Sequence, residues 1–175
     1  MALLKIAHMG HPVLLQSAEP VADVDAPEIR ALIADMIETM LDASGAGLAA
    51  PQIYRSLRIF VYHVPASRAG DGDEALSPRA LINPEISPIG QETMACVEGC
   101  LSLPGLRGTV PRHAQVRFGG WNEKGERVDG EAHGFHANVL QHEYDHLDGI
   151  LYPMRMNDFT TFGYAEEFSR VAAHS

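Results

Sequence analysis

The chain has 175 residues, 46% of them hydrophobic, which fits one core-building domain and excludes global disorder. Its formal net charge of −10 argues against a generic nucleic-acid binder, which needs a basic face. No stretch is long and apolar enough to span a membrane, and the start, Met1-Ala2-Leu3-Leu4-Lys5-Ile6, shows neither a signal-peptide pattern nor an Arg-rich transit sequence.

The first predicted element is a helix from Asp25 to Ala43. Ile29, Leu32, Ile33, Met36, Ile37, Met40 and Leu41 recur at helical spacing and form one apolar face. Asp25 is placed to cap it, Pro27 suits the first turn, and Glu28 completes a capping-box pattern. The run Gly45-Ala46-Gly47-Leu48-Ala49-Ala50-Pro51-Gln52 follows. Its small residues leave the backbone open to an extended peptide added as a strand. It is no phosphate loop, because the Lys-Ser/Thr pair is absent. Arg58 to Val64 reads as a strand, and Ala66 to Pro78, rich in Gly, Asp and Ser, as an exposed loop. Short strands are expected at Leu81-Ile82, Glu85 to Ile89, Ala114 to Trp121 and Glu126 to Ala132, with a hairpin turn over Asn122 to Gly125. A second helix spans about Gly134 to Leu147, with Phe135, Val139, Leu140, Tyr144 and Leu147 at mostly helical spacing and Gly149 as its stop. Asp158 to Ser175 reads as a short helix of mixed pattern. Strands followed by a buried helix predict an α+β fold in a single domain, 1–175.

The second helix carries His142-Glu143-Tyr144-Asp145-His146. Residues i and i+4 lie one turn apart on one helix face, so both rings can reach one metal ion, with Glu143 beside them to serve a water molecule. A hydrolytic site of this type needs a third protein ligand and an open position. The longer pattern HExxHxxGxxH fails here, because Tyr152 stands where the third His belongs. Glu166 and Glu167 lie at the distance other HExxH proteases use, but read as solvated charges in a polar tail. Cys100, in Glu98-Gly99-Cys100-Leu101-Ser102, is the better third ligand, supplied as a thiolate. A disulfide to Cys96 would close a tiny loop and restrict little. Phe135, Asn138 and Val139 share the face of His142 and fit a substrate pocket, Asn138 being more polar than such a pocket wants. His8, His11, His63, His113, His133, His136 and His174 show no second ligand spacing.

Three segments in order, Gly45 to Gln52, Glu98 to Ser102 and Gln141 to Gly149, resemble the GxGxAAxQ, EGCLS and QHExDHLxG motifs of peptide deformylases. The resemblance runs from about His11 to Tyr152 and implies short antiparallel sheets packed around a central HExxH helix. It implies hydrolysis of the N-formyl group of formylmethionine, with release of formate. Metal ligands are then Cys100, His142 and His146. Glu143 moves the proton, and Gln52 and the backbone N–H of Leu101 stabilise the oxyanion. Gly45, Ala46, Gly47, Phe135, Asn138 and Val139 bind substrate. One divalent ion is implied, Fe(II) in the cell, with Zn(II), Ni(II) or Co(II) compatible with the ligands. N-formylmethionyl nascent peptides are the implied partners, a transient ribosome contact stays open, and a cytoplasmic, bacterial-type setting is expected. Some members pair an acid before the first motif with an arginine after the second; here Ser44 cannot pair with Arg107. Two other classes remain in view: an HExxH zinc endopeptidase and a catalytically silent metal-binding homologue.

Overall fold

The computed structural model describes residues 2–70 and 75–172. The first helix, α1 (Pro27–Asp42), starts later than expected, because Pro27 occupies its first position and holds Ala26 extended (φ −55°, ψ 133°). Ala26 is therefore the cap residue and makes no side-chain cap bond, so the Asp25/Glu28 capping box does not form. Asp25 instead meets Arg30 at 3.0 Å on the surface. At its other end Ser44 adopts a left-handed φ of 54°, and Gly45 N–H closes the helix on Met40 O at 2.9 Å.

Strands β1 (Gly47–Ala49), β2 (Ile59–Val64), β3 (Leu76–Pro88), β6 (Gln115–Trp121) and β7 (Arg127–His133) form an antiparallel sheet in the order β1-β2-β3-β6-β7. Strands β4 (Thr93–Cys100), β5 (Leu103–His113) and the two-residue β8 (Gly163–Tyr164) form a second sheet. The two strands expected at Leu81-Ile82 and Glu85 to Ile89 are one strand, β3, bent by a register shift between Ile82 and Glu85, with Asn83 at φ 48°. Leu76 to Pro78, expected in the loop, belong to the same strand; residues 71–74 of that loop, and His174, lie outside the described residues. The β4–β5 hairpin and β8 have no counterpart in the sequence expectation.

Period-two alternation explains how the five-stranded sheet is covered on both faces. Leu48, Ile59, Val61, Ala80 and Ile82 pack with Ile29, Ile33, Met36 and Met40 of α1. Their neighbours Ala49, Phe60, Tyr62 and Leu81 pack with Ala137, Val139, Leu140 and Leu147 of α2 (Gly134–Leu147) on the other face. A third cluster joins Leu103 and Val110 of β5 to Leu14, Leu151, Tyr152 and Met156. Each fully buried aliphatic or aromatic side chain contributes about 1.5–3 kcal/mol. The C-terminal segment ends in α3 (Ala165–Ala172), shorter than the expected Asp158–Ser175 span. The architecture is α+β in one domain, with α2 in its interior. Among the described residues no helix is long and apolar enough to cross a membrane.

Candidate metal centre and active site

The centre is built from two elements that meet deep in the fold. Helix α2 presents His142 and His146 one turn apart, with ring centroids 5.1 Å from each other. The end of β4 brings Cys100, whose Sγ lies 3.2 Å from His146 Nε2. The three candidate ligand atoms all lie within 4.8 Å of one another, a spacing that one ion can bridge. Helix α2 stops just beyond them because Gly149 takes φ 73°, and a Cβ there would come within 2.6 Å of the Leu15 backbone.

The donor set fits a divalent cation. Burial raises the Cys100 thiol, but the charge of His146 and hydrogen bonds to His142 and His146 outweigh it and hold the group well below its ordinary pKa. Burial lowers His142, but its bonds to Cys100 and Glu98 lift it well above the ordinary imidazole value. A thiol held toward its thiolate form beside two imidazole rings is a donor set that suits a divalent cation. His142 Nδ1 sits 2.7 Å from Glu98 Oε2, which fixes the tautomer and leaves Nε2 for the centre.

Glu98 is the hub of a buried network that the sequence did not reveal. Its Oε1 accepts from Arg112 Nε at 2.7 Å and from Asn138 Nδ2 at 2.6 Å; its Oε2 accepts from Arg112 Nη2 at 3.0 Å. Arg112 also donates to Asp145 at 2.6 Å, and Arg155 donates to Asp145 at 2.8 Å. Despite burial, the bonds from His142 and Arg112 bring Glu98 down to about 2. Arg112 is 5% exposed, so its role is internal. The signal for it was indirect: two acids, Glu98 and Asp145, lie inside motifs that must be buried, and buried acids need a cation. Asn138, expected as pocket wall, lines the cleft and also serves this hub.

Glu143 is 3% exposed and packs against the first motif. A Cβ on Gly47 would collide with its carboxylate, so the second glycine of the run makes room for this acid. Burial raises Glu143 to about 7, against the opposing pull of His142 and His146. Its Oε2 is buried with no partner, free for a water molecule. Gln52 is oriented by Ala49 N–H, which donates to its Oε1 at 2.8 Å. That turns its amide NH2 toward Ser102 Oγ at 3.0 Å and Cys100 Sγ at 3.5 Å. Among the described residues no backbone hydrogen bond engages Leu101 N–H.

These groups open into a cleft of about 790 Å³ that also takes in Gly45, Ala46, Gly47, Leu101, Phe135, Asn138 and Val139. Every residue expected at the site except the fully enclosed His146 lines it. The edge strand β1 forms one wall, and β4–β5 the other. His63, on β2, bonds Gly45 O at 3.0 Å and holds the glycine run in place. Tyr152 stacks on His142 with 6.1 Å between centroids, packing where the longer protease pattern would have a ligand. Glu166 and Glu167 are on α3, exposed, and paired with Arg170. Cys96 is a free thiol on β4, raised to about 11 by burial and by Glu98.

The profile of the family described as Polypeptide deformylase matches residues 3–161. Peptide deformylase 1 of Bordetella pertussis is 49% identical over 161 residues, 92% of each chain. Peptide deformylase 2 of Ralstonia nicotianae is 47% identical over 170 residues, 97% of this chain and 96% of the relative. The crystal structure of a Thermotoga maritima peptide deformylase superposes with a TM-score of 0.81 at 38% identity, covering 90% of this chain and all of that one (100%). A Met-Ala-Ser-bound class I type b peptide deformylase from Acinetobacter baumannii gives 0.80 at 36% identity, covering 89% and 99%.

Proposed function

Because this chain belongs to the polypeptide deformylase family, we propose roles for its residues in the activity that membership carries: metal-dependent removal of the N-formyl group from the formylmethionine of new polypeptides, with release of formate. The convergence of Cys100, His142 and His146 beside a buried, unpartnered Glu143 oxygen carries this assignment. Cys100, His142 and His146 would hold one divalent ion, and such an ion would supply Lewis-acid polarisation of the formyl oxygen and a more acidic water. Fe(II) is the working ion on this reading, and Zn(II), Ni(II) and Co(II) suit the same thiolate and imidazole donors.

Glu143, raised to about 7, takes a proton from the attacking water and returns it to the departing amine nitrogen. Gln52 Nε2 and Leu101 N–H donate to the oxygen on which charge develops. The peptide lies extended along the free edge of β1, bonded to the main chain of Gly45 to Gly47, which accepts many sequences. Phe135, Asn138 and Val139 receive the methionine side chain. The site acts in the cytoplasm, where nascent chains are made and a thiolate ligand stays reduced. A transient ribosome contact belongs to the same reading; α3 offers it little charge, since Arg170 is paired with Glu166 and Glu167.

Formate release from a formyl-Met-Ala-Ser peptide, scored beside cleavage of its internal bonds, tests the assignment. Formate without internal cleavage is expected, and Cys100→Ala loses metal and formate together. Internal cleavage without formate would favour an endopeptidase, and metal binding without either reaction a silent homologue.

A further inference from the structure

Two guanidinium groups line the cleft without a carboxylate partner among the described residues. Arg68 follows β2, on the side of the five-stranded sheet, and Arg107 lies on β5 of the other sheet; both line the cleft that contains Cys100, His142 and Glu143. Arg68 sits over the Phe135 ring, 5.0 Å from its centroid. Arg107 sits over the Phe168 ring of α3 at 5.1 Å. Stacking engages one flat face of a guanidinium and leaves its N–H edge free to meet a carboxylate.

Among the described residues no carboxylate lies within 4.0 Å of either group, whereas Arg112, Arg155 and Arg170 are all paired. Ser44, which also lines the cleft, brings a hydroxyl and no charge. Among the described residues, acids on the neighbouring elements are already engaged: Glu98 by Arg112, Asn138 and His142, and Glu166 and Glu167 by Arg170. In a chain of net charge −10, two cations lining one cleft from different sheets, with no carboxylate partner among the described residues, are a local reversal of sign.

We propose that Arg68 and Arg107 form a carboxylate clamp that favours nascent chains with Asp or Glu among the first residues after formylmethionine. The clamp rests on the deformylase assignment and adds a substrate preference to it. A peptide laid along β1 advances about 3.3 Å per residue and turns successive side chains to opposite sides, so the two arginines meet different residues of the substrate. An exposed pair of this kind is weak, and two of them amount to roughly a three- to tenfold preference. The contact is the same in ground and transition states, so it acts through KM.

The test compares kcat/KM for formyl-Met-Ala-Asp-amide and formyl-Met-Ala-Asn-amide, and for the pair with the acid one position earlier. Capped ends remove the terminal carboxylate as a competitor. Calorimetric binding of the deformylated peptides is measured beside the kinetics. The metal-loaded enzyme is expected to favour the acid roughly three- to tenfold at one position or both, with the ratio shrinking at about 0.5 M salt. In Arg68→Gln/Arg107→Gln the ratio falls to about one. Arg68 is on the surface, so its single variant folds and carries its own share of the loss if the double variant does not. A ratio near one in the unaltered enzyme, or a preference that survives both substitutions, overturns the clamp. Loss of formate release from acidic and neutral peptides alike refutes the deformylase assignment instead, and the calorimetric ratio still decides the clamp.

Discussion

Glu98→Gln should cost both stability and metal affinity, because the carboxylate accepts four buried hydrogen bonds at once. Arg112 supplies two at 2.7 and 3.0 Å, Asn138 one at 2.6 Å and His142 one at 2.7 Å. A glutamine of the same shape has one acceptor oxygen and one NH2. Whichever way it turns, two of the four donors face another donor. Buried bonds to charged groups are worth about 1.5–3 kcal/mol each, and breaking one partner of a buried ion pair costs about 3–5 kcal/mol, so about 3–5 kcal/mol is expected. The depressed pKa, which has the same bonds as its cause, points the same way. Glu98 falls from an ordinary 4.5 to about 2, which corresponds to roughly 3 kcal/mol of stability. Because the folded value is depressed, that stability is present above pH 4.5 and is lost as pH falls from 4.5 through about 2. His142 loses the acceptor that orients its ring, which should weaken metal binding about 10–100-fold. Urea unfolding of metal-free protein from pH 7 to 3 and chelator competition at pH 7 measure the two effects. A variant with unchanged midpoint and unchanged metal affinity would refute the hub, and a stability loss with normal metal affinity would confine it to packing.

Glu143→Gln should keep the metal and slow turnover by about 10²–10⁴, since an amide cannot accept the water proton. The carboxyl is raised to about 7, so its base form is lost as pH falls; kcat/KM should show an acid limb below that value, lowered further by bound metal, and the limb should be absent from the residual activity of the variant. Gln52→Ala should lower kcat by about 10²–10³ with little change in KM, and a change in KM alone would make Gln52 a ground-state contact. In Gly47→Ala the new Cβ meets the Glu143 carboxylate, so kcat should drop while metal content, read by atomic absorption, stays near one per chain; full activity would show that the close fit has slack.

What the sequence determined by itself is what local geometry dictates. The 3.6-residue repeat puts Ile29, Ile33, Met36 and Met40 on one face of α1, and it puts His142 and His146 side by side on α2, whatever surrounds them. The three motif segments likewise announced Cys100, Gln52 and Glu143 through residue types and order alone. The β4–β5 hairpin was not legible, because Pro104, Gly105, Gly108 and Pro111 read as loop and much of β4 is not buried. Its strands exist through pairing with each other, from Thr93 against His113 to Cys100 against Leu103. The same pairing sets Glu98 opposite Gly108 and carries Arg112 beneath the motif helix, where it joins Glu98 to Asp145 across 14 and 33 residues of chain. Asn138 shows the limit plainly. Its position on the helix was readable, but only the tertiary structure gave its amide a carboxylate to serve, because a hydrogen bond between distant segments depends on how the chain folds back and not on spacing along it.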